Sequence, residues 1–98
     1  MKLDKLRYGE LRTLMNPFPL IQYRGIRGVA IVKMRDGRIM VLPLALATFL
    51  RDKGRATILV TGSSVDDVVA KVIRGEVEVP KEAKERAEVL RRLGYGKV

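Results

Sequence analysis

Two short apolar stretches, separated by the tripeptide RDG at 35–37, leave this chain few ways to fold. The first stretch, GVAIVKM, covers 28–34, and the second, RIMVL, covers 38–42. Runs rich in β-branched side chains favour strands, and Asp-Gly between two such runs is the strongest short-range indicator of a β-hairpin. The chain is therefore predicted to build an antiparallel sheet around this hairpin.

The register of the hairpin decides which side chains share a face. If Asp36 and Gly37 form a two-residue turn, Arg35 lies opposite Arg38, and this like-charge pair costs free energy unless an anion compensates it. One face is then entirely apolar and is assigned to the core: Ala30, Val32, Met34, Ile39 and Val41. The other face combines apolar side chains with cations: Arg27, Val29, Ile31, Lys33, Arg35, Arg38, Met40 and Leu42. A shift of one residue would exchange the two faces.

The rest of the chain alternates helical and extended patterns. Helices are predicted at 2–15, from Pro43 to about residue 53, from Ser63 or Ser64 to Gly75, and from about Lys81 to Leu93; further strands are predicted at 20–23, 55–62 and 76–80. The fold class is therefore α+β, with a small, mainly antiparallel sheet packed with three to four helices. At 98 residues the chain has the size of one domain, residues 1–98.

Positive charge is concentrated in the first half of the chain. Residues 1–55 contain twelve Lys or Arg against four acidic residues, whereas residues 56–98 contain eight against seven, within a net charge of +9. A field of this sign attracts nucleic acid or an anionic membrane. The asymmetry indicates a specific binding surface rather than a uniformly basic one.

Several classes of function are disfavoured by composition. The chain has no Cys and no His, which removes the thiolate nucleophile, the commonest general base and the soft metal ligands. We expect no catalysis, no metal and no cofactor. The apolar run at 41–50 is too short for a membrane span, and the N-terminus lacks a signal-peptide pattern, so we expect a cytoplasmic protein that does not bind membranes.

The mixed face of the hairpin suits single-stranded nucleic acid, because bases pack on an apolar surface while phosphates contact cations. It equally suits an oligomer interface with a basic rim, or a face covered by the first helix; the excess of cations favours nucleic acid. The predicted phosphate contacts are Arg24, Arg27, Lys33, Arg35 and Arg38, with Arg51, Lys53 and Arg55 as a second cluster. The predicted base-facing residues are Phe18, Tyr23, Ile31 and Met40, although a loop aromatic such as Tyr23 more often packs into a core.

A family resemblance points in the same direction. A leading helix, a Pro-rich basic loop, a strand with an RDG turn that returns through RIMVLP, a helix PLALATFLRDKG at 43–54 and a further strand follow one another. This succession resembles the N-terminal DNA-binding domain of ThermoDBP and the shorter ThermoDBP-related proteins, which are single-stranded DNA-binding proteins of hyperthermophilic archaea. The resemblance covers most of the chain and implies bases in an apolar cleft, basic residues at its walls and a dimer or tetramer. The final helix has no sustained leucine heptad, so the zipper of the longer members is not expected.

These observations together predict a non-catalytic, largely sequence-independent protein that binds single-stranded DNA, or RNA, as a homo-oligomer. Two alternatives remain open. One is a basic assembly subunit of a ribonucleoprotein complex, in which the same face docks other components. The other is a duplex-DNA-binding regulator, against which stands the lack of a helix-turn-helix pattern.

Overall fold

The computed structural model of the protein describes residue 23 and residues 25–97. Three strands and three helices follow in this part of the chain: β1 Val29–Met34, β2 Ile39–Pro43, α1 Leu44–Asp52, β3 Ala56–Gly62, α2 Val65–Ile73 and α3 Lys81–Arg92. The strands form one antiparallel sheet in the order β2-β1-β3. The predicted α+β class is confirmed. The helix predicted at 2–15 and most of the strand predicted at 20–23 lie outside the described residues.

Helices cover both faces of the sheet. Because β2 and β3 are each antiparallel to β1, they run parallel to each other, and α1 connects them across one face. The core on this face combines α1 with the sheet and Tyr23: Tyr23, Ala30, Val32, Met34, Met40, Leu42, Leu46, Ala47, Phe49 and Leu50. The core on the other face is formed with α2 and α3: Ile31, Val41, Val60, Val68, Val69, Val72, Ala83 and Ala87. The central strand β1 is therefore buried on both sides, which explains its nearly continuous apolar sequence.

This coverage bears on the expected homo-oligomer, because apolar residues on an uncovered face of the sheet would favour association. Both faces are covered by helices of the same chain. Among the described residues, the large apolar side chains that remain exposed belong to α2, α3 and the segment after it: Ile73, Val89, Leu93 and Tyr95. The oligomeric state stays a prediction.

The predicted register of the hairpin is wrong by one residue. Lys33 pairs with Ile39 rather than with Met40, and the loop has three residues instead of two. The Met34 amide donates to the Arg38 carbonyl at 2.7 Å, and Gly37 adopts a left-handed conformation with φ 95°. Three-residue hairpin loops that end in a left-handed glycine are a common alternative to two-residue turns. The shift moves Met40 to the α1 face of the sheet and Ile39 to the other.

Local signals predicted the ends of the helices well. Pro43 precedes α1, and Ser64 is the N-cap of α2, where its Oγ accepts the Asp67 amide at 3.1 Å. The Asp67 carboxylate in turn accepts the Ser63 amide at 2.9 Å, so this turn is a helix cap. The strand predicted at 76–80 is wrong, because this segment is a loop whose Val77 and Val79 pack against the core under α2 and α3.

Candidate nucleic-acid interface

The pairing of β1 with β3 brings the two predicted groups of cations to the same end of the sheet. Met34 at the end of β1 pairs with Ala56 at the start of β3, and the Arg35 amide donates to the Arg55 carbonyl at 2.9 Å. The Arg55 amide donates to the Leu50 carbonyl at 2.8 Å, which places the end of α1 beside the same loop. We call this region the cationic end and define it by six exposed residues: Lys33, Arg35, Arg38, Arg51, Lys53 and Arg55.

The cations of the cationic end differ in their surroundings. Arg38 Nε lies 2.7 Å from Asp36 Oδ2, and Arg51 Nη2 lies 3.4 Å from Asp52 Oδ1. Lys53 Nζ lies 5.9 Å from the centre of the Phe49 ring. Within the described part of the chain, the other three cations have no carboxylate within ion-pair distance: Lys33, Arg35 and Arg55.

Arg35 and Arg55 are like-charged neighbours, just after the end of β1 and just before the start of β3. The Arg35 amide donates to the Arg55 carbonyl at 2.9 Å, so the two backbones lie side by side. The predicted opposition of Arg35 to Arg38 is wrong, because Arg35 belongs to the hairpin loop. Like charges on neighbouring backbones still cost free energy, but the second charge comes from Arg55, just before β3.

The two carboxylates of this region stay charged at neutral pH. The Arg38 backbone amide, which donates to Asp36 Oδ1 at 3.0 Å, holds the pKa of Asp36 below its usual value. The hydrogen bond from the Tyr23 hydroxyl lowers the pKa of Asp52 in the same way and raises the pKa of Tyr23 itself. Six cations against these two carboxylates leave a formal charge of +4.

Tyr23 is not exposed as a stacking surface, which corrects its predicted role. Its side chain is only 6% exposed and packs edge to face on Phe49, with ring centres 5.7 Å apart and planes at 88°. The hydroxyl donates to Asp52 Oδ2 at 2.5 Å. The ring therefore joins the core under α1, which was the structural alternative for this residue.

Ile31 and Met40 do not form a base-facing surface. They are 0% and 2% exposed and lie on opposite faces of the sheet. The prediction failed for two reasons: the register shifted by one residue, and helices cover both faces. A surface that combines these two side chains does not exist in the described fold.

The remaining predicted residues separate in space. Arg27 is exposed, but it precedes β1 at the end of the sheet where Val29 pairs with Gly62. It is therefore separated from the cationic end by the length of β1, about 20 Å at roughly 3.3 Å per residue. Phe18 and Arg24 lie outside the described residues.

A cleft of about 400 Å³ opens between β2 and α3 beside the cationic end. Its lining combines an apolar floor with charges of both signs: Arg38, Ile39, Met40, Glu82, Glu85, Arg86 and Val89. Sequence reasoning missed this cleft because no local pattern indicates that the start of α3 lies beside β2. Its two carboxylates and two guanidinium groups leave the lining with no formal net charge, whereas the cationic end is positive.

Residues 23 and 25–97 contain no group of three or more acidic, His or Cys side chains that could hold a metal ion. In the same part of the chain, no helix has both the length and the apolar character needed to cross a membrane.

The chain was compared with protein-family models, curated protein sequences and solved structures, and no match was found in any of the three. No relative therefore supplies a function for this protein. A functional assignment must start from the residues of the cationic end and their surroundings.

Proposed function

We propose that the protein is a non-catalytic nucleic-acid-binding protein that takes single-stranded DNA or RNA at the cationic end. The observation that carries the proposal is the cluster of Lys33, Arg35 and Arg55, which are exposed and have no carboxylate partner in the described part of the chain. Folding brings Arg35 and Arg55 side by side at a cost in free energy. A polyanion bound at this end removes that cost and adds favourable contacts.

A purely structural explanation accounts for only part of the cluster. Cations near the C-terminus of a helix interact favourably with the helix dipole, and Arg51 and Lys53 occupy such positions at the end of α1. Lys33 and Arg35 lie on β1 and the hairpin loop, outside any helix. Their position is explained better by a ligand than by the stability of α1.

A single strand suits this end better than a duplex. Duplex reading requires a helix or a two-stranded ribbon that enters a groove. Both faces of the β1–β2 hairpin are covered by helices, and its loop at 35–37 is exposed. A flexible strand can follow a charged surface of this kind, and the resemblance to the ThermoDBP-related proteins favours the same ligand.

Contacts at the cationic end are expected to be largely independent of sequence. Lys and Arg side chains bind phosphate oxygens, and phosphate contacts carry no information about the bases. Binding that depends on such contacts weakens steeply with salt, because each contact releases a condensed counterion.

The test is a double variant, Arg35→Gln with Arg55→Gln, measured with a single strand of about twelve nucleotides. Loss of two phosphate contacts makes the negative slope of log K against log salt shallower by about 1.4. The matched control is Arg92→Gln with Lys97→Gln, which removes the same charge from two exposed residues near the C-terminus. The control retains the slope of the parent protein.

Two outcomes contradict the proposal. If the Arg35 and Arg55 variant binds as tightly as the parent protein with an unchanged salt slope, the cationic end is not the binding surface. If an equal length of duplex competes better than the single strand, a duplex-binding regulator explains the data better.

A further inference from the structure

Helix α3 carries a continuous stripe of side chains on the side that faces the cleft. Its inner side is buried through Ala83 and Ala87. The α3 residues that line the cleft are three or four positions apart, so they share one side of the helix. The same spacing extends this side to the end of the helix. We call it the α3 stripe and define it by six residues: Glu82, Glu85, Arg86, Val89, Arg92 and Leu93.

The α3 stripe combines exposed apolar side chains with balanced charge. Val89 is 42% exposed and Leu93 is 70% exposed. The two carboxylates and two guanidinium groups of the stripe give it a formal charge of zero, on a chain whose net charge is +9. Two copies of so basic a chain repel each other over most of their surface. A neutral surface with exposed apolar groups is therefore favourable for contact between two copies.

The charges of the α3 stripe are separated along the helix. Glu82 and Glu85 lie in the first half of α3, whereas Arg92 and Leu93 lie at its end. A two-fold axis near the middle of α3 would make two such helices antiparallel and would place Glu85 of each copy near Arg92 of the other. The same axis places Leu93 of each copy opposite Glu82, beside the cleft of the other copy. Parallel helices would instead bring like charges together, which costs free energy.

We infer that a second copy of this chain docks on the α3 stripe, with the two α3 helices antiparallel about a two-fold axis. The inference does not depend on the proposed function, and it assigns a surface to the expected homo-oligomer. Each copy offers the same surface to the other, so the contact closes at a dimer. The helix has 12 residues and is about 18 Å long, so the contact is short. We therefore expect a dimer that dissociates in the micromolar range.

The first test measures the mass of the full chain by sedimentation equilibrium between about 1 and 200 μM. Arg92→Glu places a carboxylate near Glu85 of the second copy, and it should weaken the dimer at least about tenfold. Glu85→Arg should weaken it in the same way, and the two exchanges together should restore it. The matched control is Arg91→Glu, which makes the same change of charge one position outside the α3 stripe and should leave the dimer intact. Circular dichroism checks that each variant is folded.

The second test determines the orientation of the helices. The chain has no Cys, so introduced thiols are the only ones present. Glu82→Cys mixed with Leu93→Cys should give a disulfide between the two variants, because these positions lie opposite each other. Two copies of Leu93→Cys should not join, since their residues at position 93 are separated by roughly 16 Å along the helix axis, beyond the reach of a disulfide.

Three outcomes overturn the inference. A monomer mass over the whole concentration range means that no second copy docks and that another segment or a different partner covers the α3 stripe. A dimer that the Arg92→Glu exchange does not weaken, or that the double exchange does not restore, is formed through another surface. A disulfide between two copies of Leu93→Cys shows that the helices are parallel.

Discussion

Removal of one charge from the pair of Arg35 and Arg55 is expected to weaken the binding of a polyanion but to stabilise the protein without ligand. Both side chains are exposed, and a backbone hydrogen bond of 2.9 Å joins the Arg35 amide to the Arg55 carbonyl. Exchange of Arg35 for Gln removes one charge and keeps most of the aliphatic stem, so packing along the stem is largely retained. The variant is expected to be more stable than the parent protein when no ligand is present.

The size of the gain follows from Coulomb's law and from the general strength of cross-strand charge pairs. In water, two unit charges that come within roughly 6 Å of each other repel by about 0.7 kcal/mol. Cross-strand pairs contribute about 0.2–1 kcal/mol in general, so we expect Arg35→Gln to raise the free energy of unfolding by about 0.5 kcal/mol at low salt. At about 1 M salt the Debye length is roughly 3 Å, and the gain should nearly vanish.

Urea unfolding at about 20 mM and about 1 M sodium chloride measures both values. The control is Lys97→Gln, which removes one positive charge from an exposed residue outside every described helix. Combination with Arg55→Gln completes a double-mutant cycle, in which the second exchange should add little once the first has removed the repulsion. A variant less stable than the parent protein at low salt, or a gain that does not depend on salt, would refute this reasoning.

Three further predictions test the fold and the boundaries of the interface. Gly28→Ala places a Cβ 2.6 Å from the Gly62 carbonyl oxygen at φ +105°, and in a urea titration it should lower the free energy of unfolding by more than about 2 kcal/mol. Gly37→Ala has a similar φ of +95° but open space around the added Cβ, so it should lower the free energy of unfolding by only about 1–2 kcal/mol. Tyr23→Phe should lower the unfolding midpoint at neutral pH. Because the Tyr23 hydroxyl lowers the pKa of Asp52 from 3.8, its contribution is present above that value and is lost as the pH falls through the folded pKa, so the variant should lose less stability on acidification; equal acid profiles would contradict this. Arg27→Gln should weaken single-strand binding by less than about twofold, since Arg27 lies a strand length from the cationic end; a loss equal to that of Arg35→Gln would extend the interface along β1.

Residues with strong local preferences were predicted correctly. The hairpin follows from two apolar runs around Asp36 and Gly37, and the starts of α1 and α2 follow from Pro43 and Ser64. Each of these signals acts within a few residues of the feature that it predicts. The α+β class could therefore be predicted before any tertiary contact was known.

The predictions about the site that were wrong depend on contacts between residues far apart in the sequence. Asp-Gly is compatible with a two-residue and a three-residue loop, and the difference of one residue decides which face Met40 occupies. No local pattern shows that α2 and α3 cover the face that contains Ile31. The alternation of Val77 and Val79 predicts a strand, but these side chains complete a core from a loop. Burial of the expected base-facing residues could not be predicted from spacing alone.

The neighbourhood of Arg35 and Arg55 was the part of the site that sequence reasoning could not predict. They are twenty positions apart in the sequence, and only the insertion of β1 between β2 and β3 brings them together. One indication was the helix predicted between β2 and β3, because a helix between two strands favours a parallel relation between them. The strand β1, which pairs with β2 in the hairpin, can then lie between β2 and β3.

The hydrogen bond that joins the Arg35 amide to the Arg55 carbonyl has a kinetic consequence. It ties the hairpin loop to the start of β3, so a single strand that bound here, as proposed, would meet cations on a preformed backbone and would restrict mainly their side chains. Encounter with such a preformed charged surface is accelerated by long-range attraction, which salt screens. For wild-type protein and single strands, added salt is therefore expected to slow association first, and stopped-flow measurements would locate the effect in the on-rate.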